Sequence, residues 1–378
     1  MKRFFRFLII PFIIVALSIG ILSPVCTNVK AENDPENKQD DFESSFWVKF
    51  IDVKQGDSAL IQCDGHYMLI DGGPTSASSV LYAILKRDRI ATLDCIIATH
   101  PDADHIGGLS GALNYSKTPL CYSPVADHET KAFRNLVKYL NKKQGELLVP
   151  EAGTSFELGS ATVEFLGPIA QGNSTNDNSI VARILYGETS FLFMGDAGKS
   201  EENSLIRAGL NLSCDVLKVS HHGSKGATSS KFLKEAKPRY AVISTARDNA
   251  YGHPSKEALS RLKKADVELF RTDLQGDIFC ESDGRNLNFS TQRDSIEDLF
   301  RPGSISDDES GENSVALIDG GDDIPDGTTY VLNTNTYRFH LPECSSVKDI
   351  LPKNKAYTKA SVEELIEAGY KPCGNCKP

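Results

Sequence analysis

The chain from Phe46 onward alternates short apolar runs with Gly and Asp turns, a pattern that predicts β-strands. The runs are FWVKFIDV, SALIQC, HYMLIDGG, LDCIIATH, CDVLKVSHHGS and YAVISTA, together with a hairpin in SIVARILYGETSFLFMGDAG. Helical spacing of apolar residues recurs between these runs, at 79–86, 130–141, 199–208 and 256–264. Many strands with interspersed helices predict an α/β fold, a mixed sandwich rather than an all-β barrel.

The first 31 residues have the pattern of a secretory signal peptide. Basic residues at positions 2, 3 and 6 precede an apolar run over 7–25, and a small-residue cleavage site, VKA, ends at Ala31. Because this apolar run is long, an uncleaved membrane anchor is the alternative interpretation. We therefore expect a secreted or extracytoplasmic protein, which contacts the membrane only through this segment if it is retained.

Changes in composition divide the rest of the chain. A polar tail at 32–44 precedes the strand-rich segment 45–293, and an acidic linker at 294–328 separates that segment from a compact piece at 329–378. The linker is predicted because most of it lacks Lys and Arg and is rich in acidic residues, Gly and Ser. We expect two folded parts joined by a solvated connection.

The composition is that of a globular protein, because 378 residues with 40% hydrophobic content can form a real core. A formal net charge of −10 argues against broad electrostatic attraction to nucleic acid or to acidic membranes. An anionic substrate would therefore have to be held locally, by a metal ion or by a small basic pocket. Five cysteines scattered through apolar segments are expected to be buried free thiols, namely Cys63, Cys95, Cys121, Cys214 and Cys280.

The stretch ATHPDADHIGGL, which follows an apolar run, places two His and two Asp within six positions. A regular helix or strand would point these side chains in several directions, whereas a tight loop after a strand lets them converge. His nitrogens and Asp oxygens are ligands suited to zinc or manganese. The alternative is a polar turn in which Asp104 caps the next helix and Gly107 and Gly108 give flexibility.

Ionisable residues also follow three other predicted strands. Asp71, Asp196 and His221 stand at the ends of their apolar runs, as His100 does. Four strands would thus carry ligand-type side chains at equivalent ends.

The order LIDGG, THPDADHIGG, FMGDAG and KVSHHGS resembles the metallo-β-lactamase superfamily, whose usual second motif is H-x-H-x-D-H. This chain departs from that motif, because Asp102 replaces the second His. With NDNSIVARI, LKVSHHGSKGATSS and YGHPSKEAL, the motif set is similar to the C-terminal hydrolase domain of the ComEC competence (DNA-uptake) proteins. The resemblance covers roughly 45–291 and implies a metallo-β-lactamase αβ/βα sandwich.

The resemblance also implies a centre for two divalent metal ions, zinc or manganese. In it, His100 and Asp102 hold one ion, Asp104 and His105 hold the second, and Asp196 bridges them. Either His221 or His222 completes a site, and Asp71, which is counted with the catalytic candidates, orients the ligands by hydrogen bonds. Two such ions about 3.5–4 Å apart lower the pKa of a bridging water, and the resulting hydroxide can attack phosphorus.

Further residues are candidates for contact with substrate. Asp104 would orient the water or accept its proton. Asn178, Ser179, Ser224 and Lys225 are candidate phosphate contacts. His253 would donate a proton to the leaving group or bind phosphate, and an ordinary loop histidine is the alternative.

The last segment carries two ligand pairs, His340-x3-Cys344 and Cys373-x2-Cys376. Four soft ligands in two close pairs are typical of a tetrahedral structural zinc. The arrangement resembles the Ada-type metal-binding modules found in some DNA-handling proteins, which implies a small zinc-binding C-terminal module. A disulfide in an exported protein is the alternative.

These observations lead to three hypotheses. The first is an exported metal-dependent phosphodiesterase, specifically a nuclease that degrades DNA. The second is a hydrolase of the same fold that acts on a cell-wall phosphodiester or another small ester, since one fold hosts many substrates. The third is a non-catalytic protein that binds DNA or an envelope partner.

Overall fold

A computed structural model describes residues 45–169, 171–172, 174–295, 297–303, 318–319, 330–333, 338–350, 355–358, 362, 365 and 370–378. The predicted signal peptide at 1–31, the polar tail at 32–44 and most of the predicted linker lie outside these residues. Within them, no helix is both long enough and apolar enough to cross a membrane.

Two sheets form the main body. In chain order, the strands of the first sheet are β1 (Phe46–Phe50), β2 (Ala59–Cys63), β3 (His66–Ile70), β4 (Cys95–Ile97), β5 (Leu120–Tyr122), β6 (Glu146–Leu148), β14 (Ile278–Ser282) and β15 (Leu287–Thr291). Those of the second are β7 (Ser155–Leu158), β8 (Ala161–Gly167), β9 (Val181–Tyr186), β10 (Thr189–Phe193), β11 (Val216–Lys218), β12 (Tyr240–Ile243) and β13 (Glu268–Arg271). The first sheet runs in the order β15-β14-β1-β2-β3-β4-β5-β6, and the second runs in the order β13-β12-β11-β10-β9-β8-β7.

The two sheets pack face to face through one apolar core. Strand β1 shows the reason in its sequence, because Phe46, Val48 and Phe50 alternate with less buried residues and so share one face. These three side chains pack in one buried cluster with residues of the second sheet, including Phe191 and Val242. The interior of the sandwich is therefore formed jointly by both sheets.

Helices cover the outer faces. They are α1 (Ser78–Arg87), α2 (Ala103–Ile106), α3 (Leu109–Tyr115), α4 (Lys131–Lys142), α5 (Lys199–Arg207), α6 (Ser230–Ala236), α7 (Lys256–Lys264) and α8 (Thr272–Gln275). Helices α1, α3 and α4 pack on the first sheet, and α5, α6 and α7 pack on the second, each set in its own buried cluster. The predicted αβ/βα sandwich is confirmed.

The helix predictions from apolar spacing are confirmed to within a residue or so. The predicted helix at 256–264 matches α7, and that at 130–141 matches α4 with a shift of one residue. The shift arises because Thr130 is the N-cap, whose side chain accepts a hydrogen bond from Phe133 N. The five scattered cysteines are free and buried, as expected.

Several strands end at the same edge of the sandwich. Strand β4 is parallel to β3, and β11 is parallel to both β10 and β12. Since the carboxyl ends of neighbouring parallel strands lie at one edge of their sheet, the loops after β3 and β4 lie close together, as do those after β10, β11 and β12. The edge is where Asp71, His100, Asp196 and His221 follow their strands.

A third, small sheet contains the C-terminal residues. Its strands are β16 (Ile318–Asp319), β17 (Tyr330–Asn333), β18 (Arg338–His340), β19 (Lys355–Thr358) and β20 (Lys371–Pro372), in the order β16-β19-β17-β18-β20. Val331, Val347 and Tyr357 are buried beside Cys344 and Cys373 in a cluster of their own.

Candidate metal centre

The motif after β4 spans a loop and the first turn of a short helix. His100 lies on the loop, Asp102 is the N-cap residue of α2, and Asp104 and His105 fall within the helix. The side chain of Asp102 makes no capping hydrogen bond, and Asp104 does not occupy the cap position. The helix-capping interpretation of Asp104 is therefore wrong, because the helix begins at Ala103 and its N-cap residue is Asp102.

Asp196 lies at the centre of the site and is buried. Its Oδ1 is 3.1 Å from His105 Nε2. Its Oδ2 faces the other three imidazoles, at 3.9 Å from His100 Nε2, 3.6 Å from His221 Nε2 and 3.8 Å from His222 Nε2. One carboxylate thus faces the Nε2 atoms of four histidines.

The remaining motif carboxylates border the same space from two sides. Asp102 Oδ2 is 3.8 Å from His100 Nε2, and Asp104 Oδ2 is 3.3 Å from His222 Nε2. The structure therefore brings the seven residues proposed as metal ligands from sequence into one cluster of short distances.

His221 and His222 both adopt left-handed backbone conformations, with φ of 51° and 52°. For a residue with a side chain, this conformation costs roughly 1–2 kcal/mol. The two successive residues form a tight turn after β11, and the turn directs both imidazoles toward Asp196. Such strain is typical of functional sites.

The two paired histidines differ in their surroundings. His222 is buried, and its Nδ1 lies 3.0 Å from Ser244 O, which leaves its Nε2 directed at Asp104 and Asp196. His221 is only partly buried. A fixed tautomer with an unpaired Nε2 is the usual arrangement of a metal-ligating histidine, so His222 is the better placed of the two.

Asp71 lies behind His105 and does not line the space that the candidate ligands face. Its Oδ2 accepts hydrogen bonds from His105 Nδ1 at 2.8 Å and from Thr99 Oγ1 at 2.7 Å, and its Oδ1 accepts from Thr99 N at 2.8 Å. These contacts direct the Nε2 of His105 toward Asp196. The orienting position expected for Asp71 is the one that it occupies, although a catalytic role for it remains a prediction.

Asp57, in the turn between β1 and β2, is a site residue that the sequence motifs did not indicate. Its Oδ1 lies 3.1 Å from His222 Nδ1, and its Oδ2 lies 2.6 Å from Lys218 Nζ. Ligand-type atoms of Asp57, His105, Asp196 and His222 lie within 4.8 Å of one another. One signal was available in the sequence, since Lys218 interrupts the apolar run of β11 and a buried Lys needs an acidic partner.

The carboxylates of the site stabilise the protonated forms of two of its histidines. Burial opposes the charged form of His222, but the carboxylates of Asp196 and Asp57 outweigh burial and raise its pKa to about 10. Burial likewise opposes charge on His105, yet Asp196 and Asp71 raise its pKa well above the usual value. The pKa of Asp196 is held well below its usual range by the histidines, against the effect of burial. The site therefore attracts protons or other cations.

The hydrogen-bonding pattern also fits cations. The Nε2 atoms of His100, His105 and His222 and the Oδ1 atom of Asp196 are buried and have no hydrogen-bond partner of good geometry among the residues that the structure describes. Buried polar atoms without a partner are costly, so four of them facing one space require an occupant. Nitrogen and carboxylate donors suit zinc, manganese or iron.

The four predicted phosphate contacts have different surroundings. Ser179 is buried, and its Oγ accepts from Asp196 N at 3.1 Å, which places it beneath the turn that carries Asp196. Asn178 Oδ1 accepts from Gly172 N, and Ser224 Oγ accepts from Gly226 N. Lys225 is exposed. Contact of these residues with a substrate remains a prediction.

His253 lies beside the paired histidines. Its ring centroid is 5.6 Å from that of His221 and 6.2 Å from that of His222. Burial, together with the charges of His222 and His221, lowers its pKa to about 4. A neutral imidazole can still donate one N–H to a phosphoryl oxygen.

The family model of the metallo-beta-lactamase superfamily matches residues 51–247 of this chain, which is just over half of its length. The chain belongs to this superfamily. The metallo-beta-lactamase domain thus contains most of the clustered residues, and His253 follows the matched region.

Two curated proteins are similar to this chain over more than half of its length. ComE operon protein 3 of Bacillus subtilis (strain 168) is 29% identical over 262 residues, which cover 64% of this chain and 34% of that protein. Competence protein ComA of Neisseria gonorrhoeae is 29% identical over 237 residues, covering 62% of this chain and 32% of that protein. The chain spans about a third of the length of the curated relatives that it matches.

Among solved structures, the chain is similar to the metallo-beta-lactamase fold protein YhfI from Bacillus subtilis. The TM-score is 0.45 at 17% identity, and the match covers 63% of this chain and all of that protein.

Outside the metallo-beta-lactamase domain, the C-terminal sheet carries a second cluster. Ligand atoms of His340, Cys344, Cys373 and Cys376 lie within 4.8 Å of one another, and the three cysteines are free. Both ring nitrogens of His340 are buried without a hydrogen-bond partner among the described residues. The sulfur atoms of Cys373 and Cys376 accept backbone N–H groups, from Asn375 and Leu341 respectively. The cluster fits a tetrahedral metal ion.

Proposed function

We propose that this protein is an exported, metal-dependent phosphodiesterase that degrades DNA. The observation that carries the proposal is the position of Asp196, whose two oxygens face different histidines while other carboxylates border the same space. A central carboxylate between two sets of donors is suited to hold two cations side by side. Paired divalent cations, when bound, activate water and stabilise the charge that develops on a phosphoryl group.

The proposed ligand sets follow the distances. One cation would be held by His100 and Asp102, the other by Asp104, His105 and His222, with Asp196 shared. The oxygen-rich set makes manganese as suitable as zinc. Asp71 and Asp57 would fix the imidazoles of His105 and His222 from behind, through the Nδ1 atoms that they face.

The chain's own residues then account for the proton movements. Burial opposes ionisation of Asp104, but the neighbouring imidazole of His222, whose Nε2 is 3.3 Å away, lowers its pKa, so Asp104 is an anion near neutral pH. As an anion it can orient the attacking water and accept its proton. His253 is placed to donate a hydrogen bond to the leaving oxygen, and Lys225 would offset the negative charge of the substrate.

DNA is proposed as the substrate for two reasons. One of the two similar proteins, ComA of Neisseria gonorrhoeae, is named a competence protein, and the motif set resembles the hydrolase domain of the ComEC DNA-uptake proteins. Asp102 also departs from the usual H-x-H-x-D-H motif in the way that the ComEC-like domains do. Export is proposed because the first 31 residues have the pattern of a signal peptide.

The test is a cleavage assay with purified full chain, first stripped of metal and then supplied with zinc or manganese. The phosphodiester substrates are end-labelled single-stranded DNA, duplex DNA and bis-p-nitrophenyl phosphate. A lactam and a thioester test for other hydrolase activities. We expect DNA cleavage that depends on added metal and is lost in His100→Ala and Asp196→Asn. Controls of the same residue types are His66→Ala and Asp88→Asn, at solvent-accessible ion pairs of the surface.

The outcomes separate the hypotheses. DNA that stays intact with both metals, while bis-p-nitrophenyl phosphate is hydrolysed, would indicate a smaller phosphodiester as the substrate. Tight DNA binding without turnover of any substrate would indicate a binding protein.

A further inference from the structure

The ring of Tyr251 lies against the ring of His253, at the outer end of a series of aromatic contacts. The two rings are stacked, with centroids 5.6 Å apart and an interplanar angle of 23°. His253 in turn contacts the rings of His221 and His222, whose Nε2 atoms face Asp196. Tyr251 is thus two ring contacts away from the candidate metal centre.

Tyr251 is unusually accessible for an aromatic residue. Its relative exposure is 67%, and among the described Phe, Tyr and Trp residues it is the only one that is exposed. No described residue forms a hydrogen bond with its hydroxyl group. An aromatic side chain that stabilised the fold would bury its ring, and burial of its hydroxyl would require a partner. The folding of the protein therefore does not account for Tyr251.

The backbone beneath Tyr251 is nevertheless firmly held. The buried side chain of Asn249 donates to His253 O at 2.6 Å and to Ala246 O at 3.0 Å. Its Oδ1 accepts from Tyr251 N at 3.1 Å and from His253 N at 2.9 Å. Gly252 supplies the left-handed residue that the turn needs, at φ 65°. An exposed ring on a fixed turn is preorganised to bind a flat partner.

We propose that Tyr251 is a stacking platform for a nucleobase next to the phosphate that is cleaved, so that the enzyme selects unpaired DNA. This inference rests on the proposed function. Aromatic side chains bind single strands by stacking on base faces, which are covered by neighbouring base pairs inside a duplex. Stacking against Tyr251 also requires no particular base, because every base has a flat face.

The test compares two single-stranded substrates of equal length, an oligothymidylate and a chain of abasic tetrahydrofuran nucleotides. Both contain the same phosphodiesters, and only the first can stack. For the wild-type protein, we expect kcat/KM to be about 10-fold higher on the oligothymidylate, which corresponds to about 1.4 kcal/mol. In Tyr251→Ala this ratio should fall to near unity, mainly through KM, whereas Tyr251→Phe should retain it because the ring remains.

Val80→Ala, at an exposed apolar residue of α1, is the matched control and should keep the wild-type ratio. A ratio that is unchanged in Tyr251→Ala would overturn the platform while leaving the nuclease proposal intact. A kcat/KM ratio near unity in Tyr251→Phe would also overturn the stacking proposal, because the hydroxyl group rather than the ring would then contact the substrate. If the wild-type protein cleaves neither strand but hydrolyses bis-p-nitrophenyl phosphate, the proposed function fails and the platform fails with it.

Discussion

Lys218 Nζ lies 2.6 Å from Asp57 Oδ2, and both side chains are buried. Asp57 also faces Nδ1 of His222 at 3.1 Å. The ion pair therefore connects the end of β11 to the turn after β1 and supports an imidazole of the candidate metal centre from behind.

Lys218→Met is expected to destabilise the protein strongly. It leaves the carboxylate of Asp57 buried without its cation, a change that costs about 3–5 kcal/mol. Urea unfolding measures the loss. Lys49→Met breaks the more accessible pair with Asp277 and should cost less than about 1 kcal/mol. Equal losses of stability in the two variants would contradict a large contribution from the buried pair. Adding Asp57→Asn to Lys218→Met should recover part of the stability.

Exchange of the two paired histidines for Asn is expected to have unequal effects. His222 has a fixed Nδ1 and a buried Nε2 directed at Asp104 and Asp196, whereas His221 is partly exposed. His222→Asn should therefore lower metal affinity by more than about 100-fold, which exceeds the loss expected when a ligand only loses its hydrogen-bond partner. His221→Asn should lower metal affinity less. Titration calorimetry with zinc and with manganese gives both affinities. A larger loss for His221→Asn would reverse the assignment.

Asp71→Asn is expected to weaken metal binding about 10- to 100-fold without removing a ligand, because Asn has one acceptor oxygen where Asp71 uses two, to accept from Thr99 N and from His105 Nδ1. The same titration measures this change. Asp94→Asn removes the acceptor of His66 in a comparable but exposed pair, so it should leave metal affinity unaltered. If both variants bind metal as the wild type does, the orienting role of Asp71 is excluded.

The C-terminal cluster is expected to hold one zinc ion. Cys373→Ser should reduce the zinc content of the purified full chain by one equivalent, because its sulfur atom lies with three other ligand atoms. Cys214→Ala, at a buried free thiol elsewhere, should leave the zinc content unchanged. Metal analysis by mass spectrometry measures both. Detection of a disulfide among Cys344, Cys373 and Cys376 would contradict the prediction.

Gly108→Ala is expected to destabilise the protein by about 1–3 kcal/mol, as overpacking does. A Cβ at this position would collide with Gly72 O, where the turn after β3 meets the start of α3. Thermal unfolding measures the effect. Gly374→Ala is the matched control, because nothing lies within 4 Å of a Cβ there. A loss no larger than that of the control would show that the two turns can separate at little cost.

Much of the architecture followed from local patterns in the sequence. Alternation in β1 and helical spacing in α7 depend on neighbours within a few positions, so they could be predicted without knowing the fold. The proximity of His100 to Asp71, and of His221 to Asp196, could also be anticipated, since each pair follows two neighbouring parallel strands.

The rest of the site depends on how the two sheets are docked. Asp57 and Lys218 are separated by 161 positions, and their contact exists only once β1 and β11 are in place. The difference between His221 and His222 arises from two left-handed residues, a conformation that their side chains do not favour. The apolar run around Lys218 indicates only that this residue needs an acidic partner, and no local pattern identifies Asp57 as that partner or distinguishes His221 from His222.

The carboxylate of Asp196 comes from the second sheet, and the motif from His100 to His105 follows a strand of the first. A cation that needs both can bind only after the sandwich has closed, and an unfolded chain or a half-domain fragment would not retain it. Metal in the growth medium would then act as a stabiliser of the whole domain, adding about 2.7 kcal/mol at a free concentration 100 times the Kd. Under the proposed export, metal capture would thus coincide with the completion of folding outside the cell.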